Sequence, residues 1–263
     1  MSDDSGHDPM RAAQAHMRPA LVRRFYHTVE VRAAGGRHEL MLDGRGARTP
    51  ARNRLRGSSR RLMERVAQEW ARQRESLDPA DMPLTRLINA AIDGVAGKME
   101  ETRAEIAAYA GSDLLYYRAE APEALAERQR LAFDPALEWA ERTFGARFRL
   151  AAGVMHVAQP PPTLEALRAA IDAFDEPAAL AALSAMTTLT GSALLALAVA
   201  RGFLTPEAAW SAAHVDEDYQ NELWGVDAEA LARRAARWRE MEAAASALEA
   251  MRSESNRLAR RAR

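Results

Sequence analysis

Past about residue 60 the apolar positions recur at steps of three and four, the spacing that gathers side chains on one face of a helix. Leu62, Val66 and Trp70 mark the first such face. Leu84 to Val95 and Lys98 to Ala110 predict two further helices, parted near Gly97. Pro122 to Phe144 predicts one helix or two, with a bend at Asp134-Pro135, because a proline removes an amide donor and crowds the preceding turn. Beyond Pro160-Pro161-Pro162 lies a helical stretch from Leu164 to Phe174. Leu231, Ala235, Trp238, Met241, Ala245 and Leu248 form the stripe of a long final helix.

Before residue 60 the period changes. Tyr26 to Val31 and His38 to Leu42 are short alternating or β-branched runs, and Gly35-Gly36 and Asp43-Gly44 supply hairpin-turn chemistry. Arg147 to Val157, with Phe148, Leu150, Val154 and Val157, is a candidate for additional strands, one of which could return to the same sheet. Asp113 to Arg118 reads as an extended segment placing Tyr116 and Tyr117 on opposite sides, one of them in the core. Together these patterns predict an α+β fold: a small N-terminal β-containing domain followed by a larger, mostly α-helical domain. The divisions are a disordered leader over 1–20, an N-terminal domain over 21–119, a helical domain over 120–251, and a disordered basic tail over 252–263.

Ala178 to Ala200 runs 23 residues without a charge, enough to cross a bilayer. Alanine is only weakly apolar, however, and Ser184, Thr187, Thr188, Thr190, Gly191 and Ser192 interrupt the run, with no basic cluster or aromatic belt at either end. Two buried helices meeting near Thr190-Gly191 fit it better.

The most unusual stretch is His214 to Gly225. Thr205 suits an N-cap, Pro206 the first helical position and Glu207 the positive end of the helix dipole, while Gly225 suits the C-terminal end and Asp227 the cap of the next helix. On one continuous helix, Trp210, Ala213, Glu217, Gln220 and Trp224 share a face. A carboxylate and an amide between two tryptophans need partners if buried.

Asp216-Glu217-Asp218-Tyr219-Gln220 followed by Trp224-Gly225 resembles the signature of the assembly chaperones of the ATP synthase catalytic head, the family that handles the alpha subunit before it joins beta. Further blocks follow in the expected order: Arg24-Phe25-Tyr26, Leu42-Asp43-Gly44-Arg45, Thr49-Pro50, Met82 to Leu87, Asp113 to Ala119, Gln129, Asp134-Pro135 and Thr190-Gly191-Ser192. Phe133 stands where many relatives carry tryptophan. The resemblance spans roughly residues 24 to 250. It implies a non-enzymatic chaperone that binds the unassembled alpha subunit, is monomeric when free, and is cytoplasmic in bacteria, with mitochondrial relatives in eukaryotes. It implies Glu217 first, then Asp216, Asp218, Gln220 and Trp224, as the partner-binding residues; a solvated acidic face with Glu217 paired internally is the plainer alternative, and Trp224 could be structural.

Composition narrows the chemistry. The chain has 263 residues, a net charge of −1 and no cysteine, so disulfides, thiolate metal sites and cysteine nucleophiles are excluded. The six histidines, at 7, 16, 27, 38, 156 and 214, make no metal-ligand spacing. Gly94 to Met99 ends in Gly-Lys-Met without the upstream glycine or the hydroxyl of a phosphate-binding loop, and no nucleophile elbow occurs. No catalytic residue, cofactor or metal is assigned. Two other function classes remain: a small helical enzyme using Asp216, Glu217 and Asp218, and a scaffold or nucleic-acid binder using the arginines at 45, 48, 52, 54, 56, 60 and 61, a run with no acid. Neutral overall charge and the lack of interleaved aromatics weigh against nucleic acid.

Overall fold

The computed structural model describes residues 21–153 and 155–261, so the leader over 1–20 and the candidate strand position Val154 lie outside the described residues. Strands β1 (Val29–Ala34) and β2 (Arg37–Leu42) form the expected antiparallel hairpin, and β3 (Arg45–Gly46) turns back on β2. Both turns carry two central residues at positive φ, Gly35 and Gly36 at 57° and 72° and Asp43 and Gly44 at 47° and 74°. Asp43 holds that conformation because its carboxylate accepts the backbone N–H groups of His27 and Thr28 at 3.0 and 2.7 Å. β4 (Arg56–Gly57) also pairs with β2 and completes a four-stranded sheet. The first strand starts at Val29 rather than Tyr26, because Tyr26 turns into the core and donates its hydroxyl to the Trp70 carbonyl at 2.7 Å.

Helix α1 (Arg60–Arg72) lays Leu62, Met63 and Val66 on that sheet, and Ser59 caps it by accepting the Leu62 N–H at 3.1 Å. Its buried Glu69 accepts the first N–H groups of α2 (Pro83–Asp93), from Leu84 and Thr85, at 2.8 Å each. A carboxylate on one helix thus serves as the cap of the next. Then follow α3 (Met99–Gly111) and α4 (Glu123–Phe144). Pro135 sits inside α4 without dividing it. Its ring lies on the exposed side of the helix, where water can satisfy the carbonyl that loses its amide partner.

The segment 147–157 corrects an expectation. It supplies only β6 (Ala151–Ala152), which pairs in parallel with β5 (Tyr117–Arg118) and not with the N-terminal sheet. Side chains take the places a strand ladder would fill. Thr163 Oγ1 accepts the Arg147 N–H at 3.1 Å and donates to its carbonyl at 2.8 Å, and the Gln159 amide bonds both backbone groups of Arg149 at 2.9 and 2.8 Å. Of the two tyrosines, Tyr116 is buried, with its hydroxyl on the Ala110 carbonyl at 2.8 Å, and Tyr117 is half-buried.

The remainder is helical: α5 (Pro161–Asp172), α6 (Pro177–Thr190), α7 (Ala193–Arg201), α8 (Pro206–Ala213), α9 (Val215–Trp224) and α10 (Ala228–Arg261). The charge-free stretch makes the two helices α6 and α7, turning at the left-handed Gly191, and no helix among the described residues is long and apolar enough to cross a membrane. α10 packs on α1, α2, α6 and α7 and stays helical to Arg261, beyond the point where fraying was expected. Glu254, inside the expected tail, accepts the hydroxyl of Ser59. One contiguous set of buried residues runs from Tyr26 to Ala250.

At its centre lies α7, buried at every position from Ala193 to Val199. Its free N-terminal amides cannot reach water and must be satisfied from within. Ser192 accepts the Leu195 N–H at 3.0 Å, and Asp113, 81 residues away, accepts that of Leu194 at 3.0 Å while also taking its own Leu115 N–H at 3.1 Å. Burial pushes the Asp113 carboxyl up to about 6, against the opposing pull of Ser192 and the backbone N–H groups. The unfolded chain therefore releases this proton at lower pH than the folded one, so the group's contribution to stability is present in full in acid and is lost as pH rises through about 6. Unfolding free energies of the wild type and of Asp113→Asn should converge or cross by about 3 kcal/mol between pH 4 and 7, on roughly 1.4 kcal/mol per pKa unit. A difference that stays flat across that range would refute the assignment.

Candidate docking helix

Thr205 opens α8 as the sequence predicts, accepting the Ala208 N–H at 3.2 Å. The helix then stops at Ala213 instead of running on to Gly225. The cause is His214. Its ring is buried against Trp210, centroids 3.9 Å apart, and Nδ1 donates to the Trp210 carbonyl at 2.7 Å, the acceptor that the His214 backbone amide would use in an unbroken helix. That amide goes to Ser211 instead, and φ and ψ become −115° and 17°. Desolvation lowers the His214 pKa, with a smaller opposing effect from the Trp210 carbonyl. The two tryptophans consequently part company. Trp210 is buried beside Trp238, and Trp224 is 83% exposed.

α9 has no buried residue. Its three consecutive acids point different ways, as successive helical positions must. Asp216 reaches α4, where Oδ1 accepts the side-chain amide of Gln129 at 2.7 Å. Gln129 is itself buried, and its Oε1 accepts the Ala119 N–H at 2.7 Å. Asp218 reaches α10 and takes both guanidinium nitrogens of Arg234, the longer bond at 3.1 Å. Glu217 lies between them, exposed, with Arg234 3.9 Å away. Gln220 is exposed. One turn later Glu222 pairs with Arg128, whose guanidinium lies 5.2 Å above the Tyr219 ring.

These anchors hold α9 against α4 and α10 by polar contacts at its edges. Gly225, at φ 85° and ψ 172°, turns the chain sharply, and Asp227 caps α10 by accepting the Ala230 N–H at 2.8 Å. Around this corner four apolar side chains face solvent: Leu223, Trp224, Val226 and Leu231, at 58%, 83%, 52% and 51% exposure. Leu231 therefore does not belong to the buried stripe of the last helix, which begins deeper along α10, at Trp238 and Met241. Among the described residues no cluster of three or more His, Asp or Glu could hold a metal ion.

A family model described as the ATP12 chaperone protein matches residues 23–141. The fold matches the crystal structure of Atp12 from Paracoccus denitrificans at 39% identity, covering 87% of this chain and 98% of that one, with a TM-score of 0.82. A variant of that protein with an aspartate replaced by lysine matches equally well, at 38% identity. The Atu1473 protein of Agrobacterium tumefaciens matches at 46% identity over 94% of this chain and 92% of its own, with a TM-score of 0.86. The chain belongs to the ATP12 chaperone family.

In this member of the ATP12 family several of the shared sequence blocks turn inward. Asp113 and Ser192 cap α7, Arg118 pairs with Asp134 at 2.8 Å, and Asp43 braces the β2–β3 turn. The block from Asp216 to Trp224 lies instead on a helix with nothing buried. Gln129, Arg128 and Arg234 position that helix, and none of the three roles has a local sequence signal because each partner lies on another helix. Gln129→Ala should leave the half-buried Ala119 N–H without its partner and release Asp216, costing about 1 kcal/mol. Amide exchange over 215–224 should quicken in that variant; exchange at the wild-type rate would show that α9 is held by other means.

Proposed function

We propose that this chain is an assembly chaperone of ATP synthase that holds the unassembled alpha subunit of the catalytic head until beta replaces it, with α9 as the docking element. Membership in the ATP12 chaperone family supports the general role. The observation that carries the assignment to α9 is its surface: Asp216, Glu217 and Gln220 exposed beside the apolar corner of Leu223, Trp224, Val226 and Leu231. Protein interfaces combine an apolar, aromatic centre with a polar rim, and a rigid tryptophan is a typical anchor. An alpha subunit without its partner exposes apolar interface that aggregates, and a surface of this kind can cover it. Such cover must also come off. Contact through one short helix and one apolar corner favours reversible exchange with beta over permanent association.

Nothing in this role requires chemistry. The carboxylates of Asp216 and Asp218 are engaged by side chains on different helices, Gln129 on α4 and Arg234 on α10, so the pair does not converge on one reacting atom.

Two substitutions separate docking from folding. Glu217 is exposed and 3.9 Å from its neighbour, so Glu217→Lys should change stability by no more than about 0.5 kcal/mol. On co-expression the wild type should keep alpha soluble and co-purify with it, but not with beta, and Glu217→Lys should lose alpha. Trp224→Ala should weaken the complex by about 2 kcal/mol with an unchanged melting temperature. Normal rescue of alpha by a folded Glu217→Lys protein would overturn the assignment to α9.

A further inference from the structure

A second concave surface lies on the N-terminal sheet. Phe25 and Tyr26, the β2–β3 turn and the last turns of α1 enclose a cleft of about 540 Å³. Its floor is aromatic: the Tyr26 ring packs edge-on against Phe25, centroids 5.4 Å apart, and tilted against Trp70 at 5.6 Å. Tyr26 is buried and bonded to the Trp70 carbonyl, so the floor is set by the fold and needs no ligand to keep its shape. Phe25 stands on the lip, 65% exposed, and Leu21 and Val22 before it are 50% and 62% exposed. Backbone bonds from Arg24 to Glu75 and from Leu77 to Val22, at 2.9 and 2.8 Å, pin this segment and leave its large apolar side chains directed at water. Packing among the described residues does not account for them.

The charges around the cleft are unbalanced. Arg45 and Arg48 line it, and Arg24 lies 4.7 Å from the centre of the Tyr26 ring. Arg24 donates to the carbonyls of Tyr26, Gln73 and His27, and Arg48 to that of Arg52, so neither charge meets a carboxylate among the described residues. Asp43, the acid in the lining, is engaged by the N–H groups of His27 and Thr28 and the hydroxyl of Thr28. Three other members of the arginine run are paired, Arg54 with Glu39, Arg60 with Glu64 and Arg61 with Glu249, while Arg52 and Arg56 make no ion pair among the described residues. The run that looks uniform in sequence therefore mixes neutralised and unpaired positions, and of the unpaired ones Arg45 and Arg48 stand at an aromatic cleft.

We infer that this cleft docks a polypeptide segment in which an aromatic or large aliphatic side chain is flanked by carboxylates. The ring-lined floor takes the apolar side chain and the guanidiniums of Arg45 and Arg48 take the acids, as arginine forks favour carboxylates. The volume lies within the usual range for small-ligand sites, about 300–1,000 Å³, and suits one or two side chains rather than a folded surface. A polypeptide fits better than nucleic acid, because Arg54, Arg60 and Arg61 are paired to acids and the chain as a whole carries a charge of −1. This site is separate from α9 and does not depend on which client α9 holds.

The test uses the full chain and two blocked peptides, acetyl-EFELE-amide and acetyl-KFKLK-amide, titrated with tryptophan fluorescence and amide chemical shifts as readouts. The acidic peptide should bind saturably below millimolar concentration, weaken with salt, and shift the amides of Phe25, Tyr26 and residues 42–48. The lysine peptide should not bind. Arg45→Glu combined with Arg48→Glu, both at exposed positions, should weaken the acidic peptide by at least about tenfold at an unchanged melting temperature. Phe25→Ser should do so through the apolar side. No saturation at millimolar peptide, equal binding of the lysine peptide, indifference to both variants, or tighter binding of a single-stranded oligonucleotide would each overturn the inference. Because alpha takes no part in this experiment, its failure leaves the α9 reading untouched, and failure of the Glu217→Lys test leaves this one standing.

Discussion

A helix with no solvent face imposes the strictest condition on this molecule. Every position of α7 from Ala193 to Val199 is buried, so amides that a surface helix would give to water must be met by protein. Ser192 supplies one oxygen locally and Asp113 brings another from the far side of α4 in sequence. Glu69 solves the same problem for α2 through Leu84 and Thr85. Both carboxylates are pushed toward their neutral forms by burial, which is the cost of closing helix ends inside a core. The bond from Asp113 to Leu194 also ties the segment after α3 to the buried helix, so the N-terminal elements and the helical remainder share one core.

A rigid centre allows a lightly attached periphery. α9 has no fully buried residue and touches the core only through Val215 at its start, and Gln129 and Arg128 on α4 and Arg234 on α10 hold the rest. All three contacts are directional polar bonds near the helix surface, and they orient the exposed face without covering it. The break at His214 matters for the same reason. By taking the Trp210 carbonyl, the imidazole frees α9 from the line of α8, and Trp224 swings to solvent while Trp210 stays in the core. A continuous helix would have placed both tryptophans on one stripe and buried or exposed them together.

Features set by adjacent residues were the legible ones. Gly35-Gly36 and Asp43-Gly44 form the expected turns, Gly191 the expected helix stop, and Thr205 and Asp227 the expected caps. What failed depended on distant side chains or on solvent. The candidate strands within 147–157 shrank to β6, with Gln159 and Thr163 bonding the flanking backbone, and of the one or two helices open over 122–144 the chain forms one, with Pro135 on its exposed side. The helix through His214 was misread because a histidine competing for a backbone carbonyl leaves no mark on apolar spacing. At the candidate docking helix the acids and Trp224 came from family resemblance, while the apolar corner was missed: Leu231 fits a helical stripe equally well whether or not a neighbour covers it. The uneven pairing of the arginine run was also invisible, since Glu39 and Glu249 approach it from other elements.

The central claim is that α9 and the corner after it meet the client. Hydrogen exchange of the purified complex with the alpha subunit, compared with the free chain, tests it most directly. The account predicts slowed exchange concentrated over 215–231, with the amides of the buried α7 unchanged because they are already protected in the free protein. A stable complex in which 215–231 exchanges as fast as in the free chain would contradict it.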